Sequence, residues 1–350
     1  MSEAVLTPVR ESHRFDEEAL LAYLEQHLDG FRGPLFIKQF EGGQSNPTYL
    51  LETGSGRYVL RKQPPGELLP SAHQVDREYR VMHALAGSPV PVPAMRCLCL
   101  DRDVIGTDFY VMDYVDGRLF SDVTLPGLAR TERGLIFREL ARILAALHRI
   151  DPDAVGLGDF GRPGNYFARQ IKRWSQQYEA SQTETIEAMS RLMQWLPENI
   201  PPSEGWSIAH GDYRVGNCLI DHDEPRIKAV LDWELSTLGD PLADLGYVCQ
   251  IYYIDSFTIG LAGVDIANLG IPDQNAFVAE YCSQAGLDHI EGLPFSIIYN
   301  LFRLAGISQG VYKRGLEGNA SSKIALSFKN VMRKYAETAW NLVVELESKL

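Results

Sequence analysis

The period of the hydrophobic pattern changes along the chain. Residues 15–30, FDEEALLAYLEQHLDG, set Leu20, Leu21, Leu24 and Leu28 at helical spacing, behind an acidic first turn and ahead of Gly30. That predicts an amphipathic helix. The pattern then shortens to alternation. LFIKQF (35–40), TYLLET (48–53) and RYVLRKQ (57–63) alternate or run apolar with glycines between them, and predict three antiparallel strands. After Pro64 and Pro65, helical spacing returns at Val75, Tyr79, Met82 and Leu85. MRCLCLD (95–101) and DFYVMDYV (108–115) predict two more strands. Residues 31–115 are therefore expected to form a small five-stranded sheet with one helix inserted after its third strand.

From Asp116 onward the helical period dominates. GLIFRELARILAALHRI (134–150), NYFARQIKRWSQQYEA (165–180) and TETIEAMSRLMQWL (183–196) each predict a helix. Residues 218–233 break the run with two apolar stretches around an Asp/Pro turn, which predicts a hairpin. Beyond Asp240 the chain reads as mostly helical. The expected class is α+β, with a β-rich lobe over residues 1–115 and a larger helical lobe over 116–350.

Composition narrows the function without naming it. With 350 residues, 45% apolar and 23% charged, the chain reads as an ordinary soluble globular protein able to bury a sizeable core. The net charge of −13 argues against nonspecific binding to nucleic acid. Five cysteines, odd in number and without a CxxC pair, predict a reduced cytoplasmic setting and no structural zinc. The N-terminal residues show no apolar signal core, and no stretch approaches a membrane span, so no membrane association is expected.

Candidate chemistry gathers at IAHGDYRVGNCLI (208–220), a polar loop between apolar flanks. His210, Asp212 and Asn217 are spaced H-x-D-x-x-x-x-N, and Asp232 ends the apolar run AVLDW fifteen residues after Asn217. Asn217 and Asp232 at the two ends of a hairpin are placed to share a hard cation, since Mg²⁺ needs few protein oxygens when phosphate and water supply the rest. Asp212, five residues before Asn217, could accept a proton from a substrate hydroxyl. That is the arrangement of a kinase catalytic loop.

HGDYRVGN (210–217), VLDWE (230–234) and GDPLADLGY (239–247) resemble the aminoglycoside phosphotransferase family, which has a protein-kinase-like two-lobe fold. FEGGQSNPTYLLET, YVLRKQPPGELLPSAHQVDREYRVMHAL and FRLAGISQGVYKRGLEGNASS resemble more narrowly the branch related to phosphotransferase domains fused to acyl-CoA dehydrogenases. The resemblance spans most of residues 31–323 and implies ATP and Mg²⁺ as cofactors. It makes Asp212 the catalytic base and Asn217 and Asp232 the magnesium positions. His210 reads as scaffold for the loop, and Arg214 as either a stabiliser of transferring phosphoryl charge or an exposed ion-pairing arginine. EGGQSN (41–46) becomes the phosphate-covering loop, in which Gly42 and Gly43 allow close approach and Ser45 and Asn46 are side-chain donors. In YVLRK (58–62), alternation sends Arg61 and Lys62 to opposite faces. Arg61 aligns with the phosphate-contacting lysine of protein kinases, an arginine departs from that pattern, and the choice between Arg61 and Lys62 stays open. Glu78 is the expected helix partner of that basic residue. FYVMDYVDG (109–117) resembles the hinge, with the Asp113 carbonyl and Val115 N–H facing an adenine edge. Asp240 and Asp244 read as structural, the first as a helix cap before Pro241.

The acceptor has to be sought elsewhere. Residues 301–350 carry eight Lys/Arg against four Glu, while the other 300 residues carry −17. Arg303, Lys313, Arg314 and Lys323 in that basic island would attract an anionic substrate, and some members of the branch are taken to phosphorylate hydroxyacyl-CoA. The expected function is therefore Mg·ATP-dependent phosphoryl transfer to a small alcohol, CoA-linked or otherwise anionic, with a functional link to an acyl-CoA dehydrogenase. The alternatives are a kinase for an aminoglycoside or other cationic alcohol, and a nucleotide-binding pseudokinase with a regulatory role. The intact Asp212/Asn217/Asp232 set argues against the last.

Overall fold

A computed structural model of the chain describes residues 5–41, 46–66, 73–202, 205–255, 259–318 and 325–349. In chain order, its first half holds β1 (Leu6–Thr7), α1 (Glu17–His27), β2 (Phe36–Phe40), β3 (Thr48–Thr53), β4 (Gly56–Lys62), α2 (Val75–Ala84), β5 (Met95–Cys99), α3 (Arg102–Ile105), β6 (Phe109–Asp113), α4 (Arg130–His148) and α5 (Tyr166–Ser181). There follow α6 (Glu187–Glu198), β7 (Ser207–Ala209), β8 (Cys218–Ile220), β9 (Ile227–Val230), β10 (Thr237–Gly239), α7 (Pro241–Cys249), α8 (Ile266–Leu269), α9 (Gln274–Ala285), α10 (Leu293–Leu316) and α11 (Phe328–Glu347). The class is α+β, as expected. The chain divides into two compact units: residues 1–120, 155–157 and 215–236 in the first, and the remainder in the second. The hairpin after Val215 thus groups with the N-terminal sheet, whereas the expected lobes divide at 115/116.

The first unit is built on an antiparallel sheet in the order β1-β2-β3-β4-β6-β5. It has six strands rather than five, because Leu6 and Thr7 pair with Phe40 and Gln39 at the edge of β2. Alternation on β3 and β4 turns Tyr49, Leu51 and Leu60 into a core with Phe109 and Val111 from β6 and Leu20 and Leu24 from α1. Helix α1 starts where Asp16 accepts a hydrogen bond from Ala19 N, with Glu17 and Glu18 complementing the helix dipole. Helix α2 packs against β5 and β6. Leu60 and Val59, neighbours that point to opposite faces of β4, are both buried, Leu60 in the core with α1. The β8–β9 hairpin pairs Cys218 with Val230, and its ladder extends one step further through Leu231 N to Asn217 O at 2.8 Å.

The second unit is mostly helical. Helix α10 runs for 24 residues, about 36 Å at 1.5 Å per residue, and packs against α5, α6, α7 and α11. It holds α7 closely. A Cβ at Gly246 would meet Ser296 Oγ at 2.2 Å, so only glycine fits this crossing. Ser296 Oγ donates to Leu242 O, and Asn300 Nδ2 donates to Ala243 O. Helix α7 is capped by Asp240, which accepts from Leu242 N at 2.9 Å, with Pro241 in the first turn. The short strands β7 and β10 pair antiparallel and deliver the chain to His210 on one side and Asp240 on the other.

Candidate active site

In the first unit, β4 and α2 bring Arg61 and Glu78 together. Arg61 Nε lies 3.1 Å from Glu78 Oε2, and an Nη of the same guanidinium lies 3.0 Å from Asp232 Oδ1 and 3.2 Å from Glu234 Oε2. Glu78 is 1% exposed and accepts further hydrogen bonds from Asn46 Nδ2 at 2.9 Å and the Tyr110 hydroxyl at 2.8 Å. Burial pushes its carboxyl up to about 7, against the lowering effects of Arg61 and the Tyr110 hydroxyl. One guanidinium among three carboxylates leaves two negative charges in excess. Among the described residues no cluster of three or more acidic, histidine or cysteine side chains is arranged to hold a metal ion, so a cation here would take one or two protein oxygens and the rest from phosphate and water. Asp232 sits just past the end of β9 with φ 65° and ψ 59°, a left-handed conformation that costs a non-glycine residue about 1–2 kcal/mol. Asn217 stands at the same end of the hairpin, since its carbonyl accepts from Leu231 N.

In the second unit, the loop after β7 is fixed by a buried carboxylate. Asp244 on α7 accepts from His210 N at 2.6 Å through Oδ2 and from Gly211 N at 2.9 Å through Oδ1. Burial alone would raise the Asp244 carboxyl, but His148 at 3.5 Å, His210 and the Gly211 amide together hold it below the usual range. Gly211 has φ 81°, the left-handed turn that lets both amides face one carboxylate. The loop carbonyl is held as well. Arg303 on α10 is 8% exposed, donates to Gly211 O at 2.9 Å and lies over the Trp174 and Tyr247 rings. Asp212 itself has several partners. Its backbone N–H donates to His210 Nδ1 at 3.2 Å, the Tyr247 hydroxyl donates to Oδ1, and Arg214 Nε stands 3.5 Å from Oδ2.

A model described as the phosphotransferase enzyme family matches residues 37–286. The chain belongs to that family. The enzyme is 42% identical over 342 residues to acyl-CoA dehydrogenase family member 10 of Mus musculus, covering 97% of this chain and 32% of that protein. It is equally 42% identical over 350 residues to acyl-CoA dehydrogenase family member 11 of Homo sapiens, covering 97% and 44%. The phosphotransferase thus spans less than half the length of these curated relatives. A crystal structure from Ralstonia eutropha, provisionally named an aminoglycoside phosphotransferase, is 48% identical with a TM-score of 0.87, covering 95% of this chain and 99% of that one. The aminoglycoside phosphotransferase APH(4)-Ia, in a ternary complex with ADP and hygromycin B, has a TM-score of 0.60 at 14% identity over 93% and 98% of the two chains. That likeness shows the fold alone, and the fold is the protein-kinase-like one.

Several expected site residues of the phosphotransferase sit where their spacing put them. Arg61 meets Glu78, whereas Lys62 turns to the other face, 2% exposed and 5.7 Å from the centre of the Phe15 ring. Asp113 ends β6 opposite Tyr58, with its N–H on Ala94 O and its carboxylate on Arg96; Val115 follows two residues on, half-buried. Gly42, Gly43 and Ser45 lie outside the described residues.

Two expectations are corrected. Asn46, expected as a phosphate donor, is fully buried, with its amide nitrogen on Glu78 and its Oδ1 3.0 Å from His73 Nδ1. The basic island is partly offset within the second unit, where two acids from earlier in the chain pair with three of its cations. Arg303 points inward to the loop. Lys313 donates to Ala180 O, Lys329 and Arg333 stand 3.8 and 3.0 Å from Glu184, and Lys334 pairs with Asp255. Counting charge along residues 301–350 missed partners that come from earlier in the chain. Arg314 remains exposed, and Lys323 lies outside the described residues.

The residues that sequence reasoning missed are Tyr110, Glu234 and Tyr247. Each had a signal. Tyr110 is in register with Arg61 on the neighbouring strand. Glu234 is two residues past Asp232. Tyr247 follows Asp244 by three positions, on the same helix face.

Proposed function

We propose that this phosphotransferase moves the γ-phosphoryl group of Mg·ATP to the hydroxyl of a hydroxyacyl-CoA. The observation that carries the transfer reading is the way Asp212 is held: a carboxylate at the tip of a loop whose two preceding amides are clamped by one buried aspartate. So much fixed structure around one partly exposed acid suits a group that must meet a substrate hydroxyl in a set orientation. Asp212 orients the acceptor and takes its proton, while Arg214 stabilises charge on the transferring phosphoryl group. Arg61, braced by Glu78, contacts the nucleotide phosphates, and the backbone of Asp113 and Val115 faces the adenine edge. Asp232 and Asn217 would hold Mg²⁺, which neutralises phosphate charge when bound. Residues 1–115 then serve as the nucleotide lobe and 116–350 as the catalytic and substrate lobe.

The acceptor class is supported by the names of the relatives, which are acyl-CoA dehydrogenase family members at 42% identity. A functional link to such a dehydrogenase follows from this reading. A cytoplasmic setting is supported by five buried cysteines, all thiols. No helix among the described residues is long and apolar enough to cross a membrane.

The test is ATP turnover over a panel of hydroxyacyl-CoA esters and aminoglycosides, comparing the wild type with Asp212→Asn. Loss of about two to four orders of magnitude is expected on removing a general base. Phosphorylation undiminished in the variant overturns the role of Asp212. Turnover of aminoglycosides and of no acyl-CoA overturns the acceptor.

A further inference from the structure

We infer that Tyr247 is a positioning residue for Asp212, and that Arg303 is its support. This rests on the reading of Asp212 as the base. Helix α7 addresses the loop twice. Asp244 takes the two amides, and Tyr247, one turn later on the same face, donates its hydroxyl to Asp212 Oδ1. The two contacts act on different things: the first sets the path of the backbone, the second sets the rotation of the carboxylate. A carboxylate on a fixed backbone still turns about its side-chain bonds, and a directed hydrogen bond to one oxygen removes that freedom.

The donor is itself immobilised. Burial, then the charge on Asp212, push the Tyr247 phenol far above its ordinary range, so its proton stays on and the hydroxyl remains a donor at any working pH. The Arg303 guanidinium lies 5.4 Å from the centre of the Tyr247 ring and 5.7 Å from that of Trp174, and it also holds Gly211 O. The chain below Tyr247 is pinned by the close crossing of Gly246 over Ser296. Backbone, carboxylate and donor therefore all refer to one rigid pair of helices, α7 and α10. A base set on a loop gains from this, because misplacement by an ångström is costly in rate.

The experiment is a double-mutant cycle on the full chain with Tyr247→Phe, Asp212→Asn and both together. It reads kcat, the KM values for ATP and acceptor, and the thermal midpoint. Removing a hydrogen bond to a charged group is expected to lower kcat about 10- to 100-fold. Both KM values should stay within about threefold, since the bond does not touch substrate. In the Asp212→Asn background, Tyr247→Phe should lower kcat no further, because a residue acting through Asp212 has nothing left to act on. Additive losses in the double variant, or a fall confined to KM, would overturn the inference, as would full kcat in Tyr247→Phe. A wild type without ATP-dependent turnover would instead overturn the kinase reading. Should Tyr247→Phe lose its fold, Arg303→Lys tests the support: it keeps the charge near Gly211 O but not the planar stack, and should lower kcat alone.

Discussion

Arg61→Met is the sharpest test of the charge arrangement in the first unit. The guanidinium stands within 3.2 Å of Glu78, Asp232 and Glu234. Removing it strands a carboxylate that is 1% exposed. Breaking a buried pair from one side costs about 3–5 kcal/mol. The other two pairs reach the solvent, with acid side chains 35% and 25% exposed, so screening limits each to about 0.2–1 kcal/mol. We expect a loss of about 4 kcal/mol in urea unfolding followed by tryptophan fluorescence. The loss has a pH dependence whose sign is fixed. Glu78 is an acid whose folded value, about 7, already lies above its ordinary 4.5, and without Arg61 it rises further. The folded chain then holds a proton that the unfolded chain releases, so stability falls as pH rises from 4.5 through the folded value. The deficit of Arg61→Met should therefore be larger at about pH 8 than at about pH 5.5. Adding Glu78→Gln should restore most of the loss, because an amide keeps hydrogen-bonding capacity without the stranded charge. Lys62→Met is the control. Burial lowers the Lys62 ammonium, and replacing it with an apolar side chain should cost under about 1 kcal/mol. A loss below about 1 kcal/mol for Arg61→Met at the higher pH would refute the reasoning, as would a double variant no more stable than the single one.

Two further outcomes are expected. Asp244→Asn leaves one of the two loop amides without its acceptor; it should cost about 1–3 kcal/mol in chemical unfolding and lower kcat, whereas stability within error of wild type would show that the loop is held by other means. Asp232→Asn keeps a residue that tolerates the left-handed turn but removes the carboxylate proposed to hold Mg²⁺; in thermal shift with a non-hydrolysable ATP analogue, the extra stabilisation by Mg²⁺, about 2.7 kcal/mol at a hundredfold excess over Kd in the wild type, should be largely lost.

What could be read from the sequence and what could not divides along a physical line. The opposite directions of Arg61 and Lys62 were legible because a strand has period two whatever packs on it; which of the two meets Glu78 was left open by the resemblance that implied the pair, and the structure brings Arg61 to it. The short strands were not legible: β1 has two residues, and β7 and β10 three each, too few to show a period. Asn46 was misread because its burial is decided by Glu78, which arrives 32 residues later on α2. Arg303 failed for a different reason. A helix declares which way a residue points only when one face is polar, and α10 buries 15 of its 24 residues on several faces. Its arginine could therefore point to the loop after β7 as readily as to water. The same holds for the cations around it: Glu184 lies on the segment before α6, and Asp255 follows α7, so part of the charge of residues 301–350 is offset by chain outside that window. An acceptor argument from local charge has force only for cations whose partners have first been found. By that standard Arg214, whose Nε stands 3.5 Å from Asp212 Oδ2, already has an acid partner and cannot be counted as a free cation either.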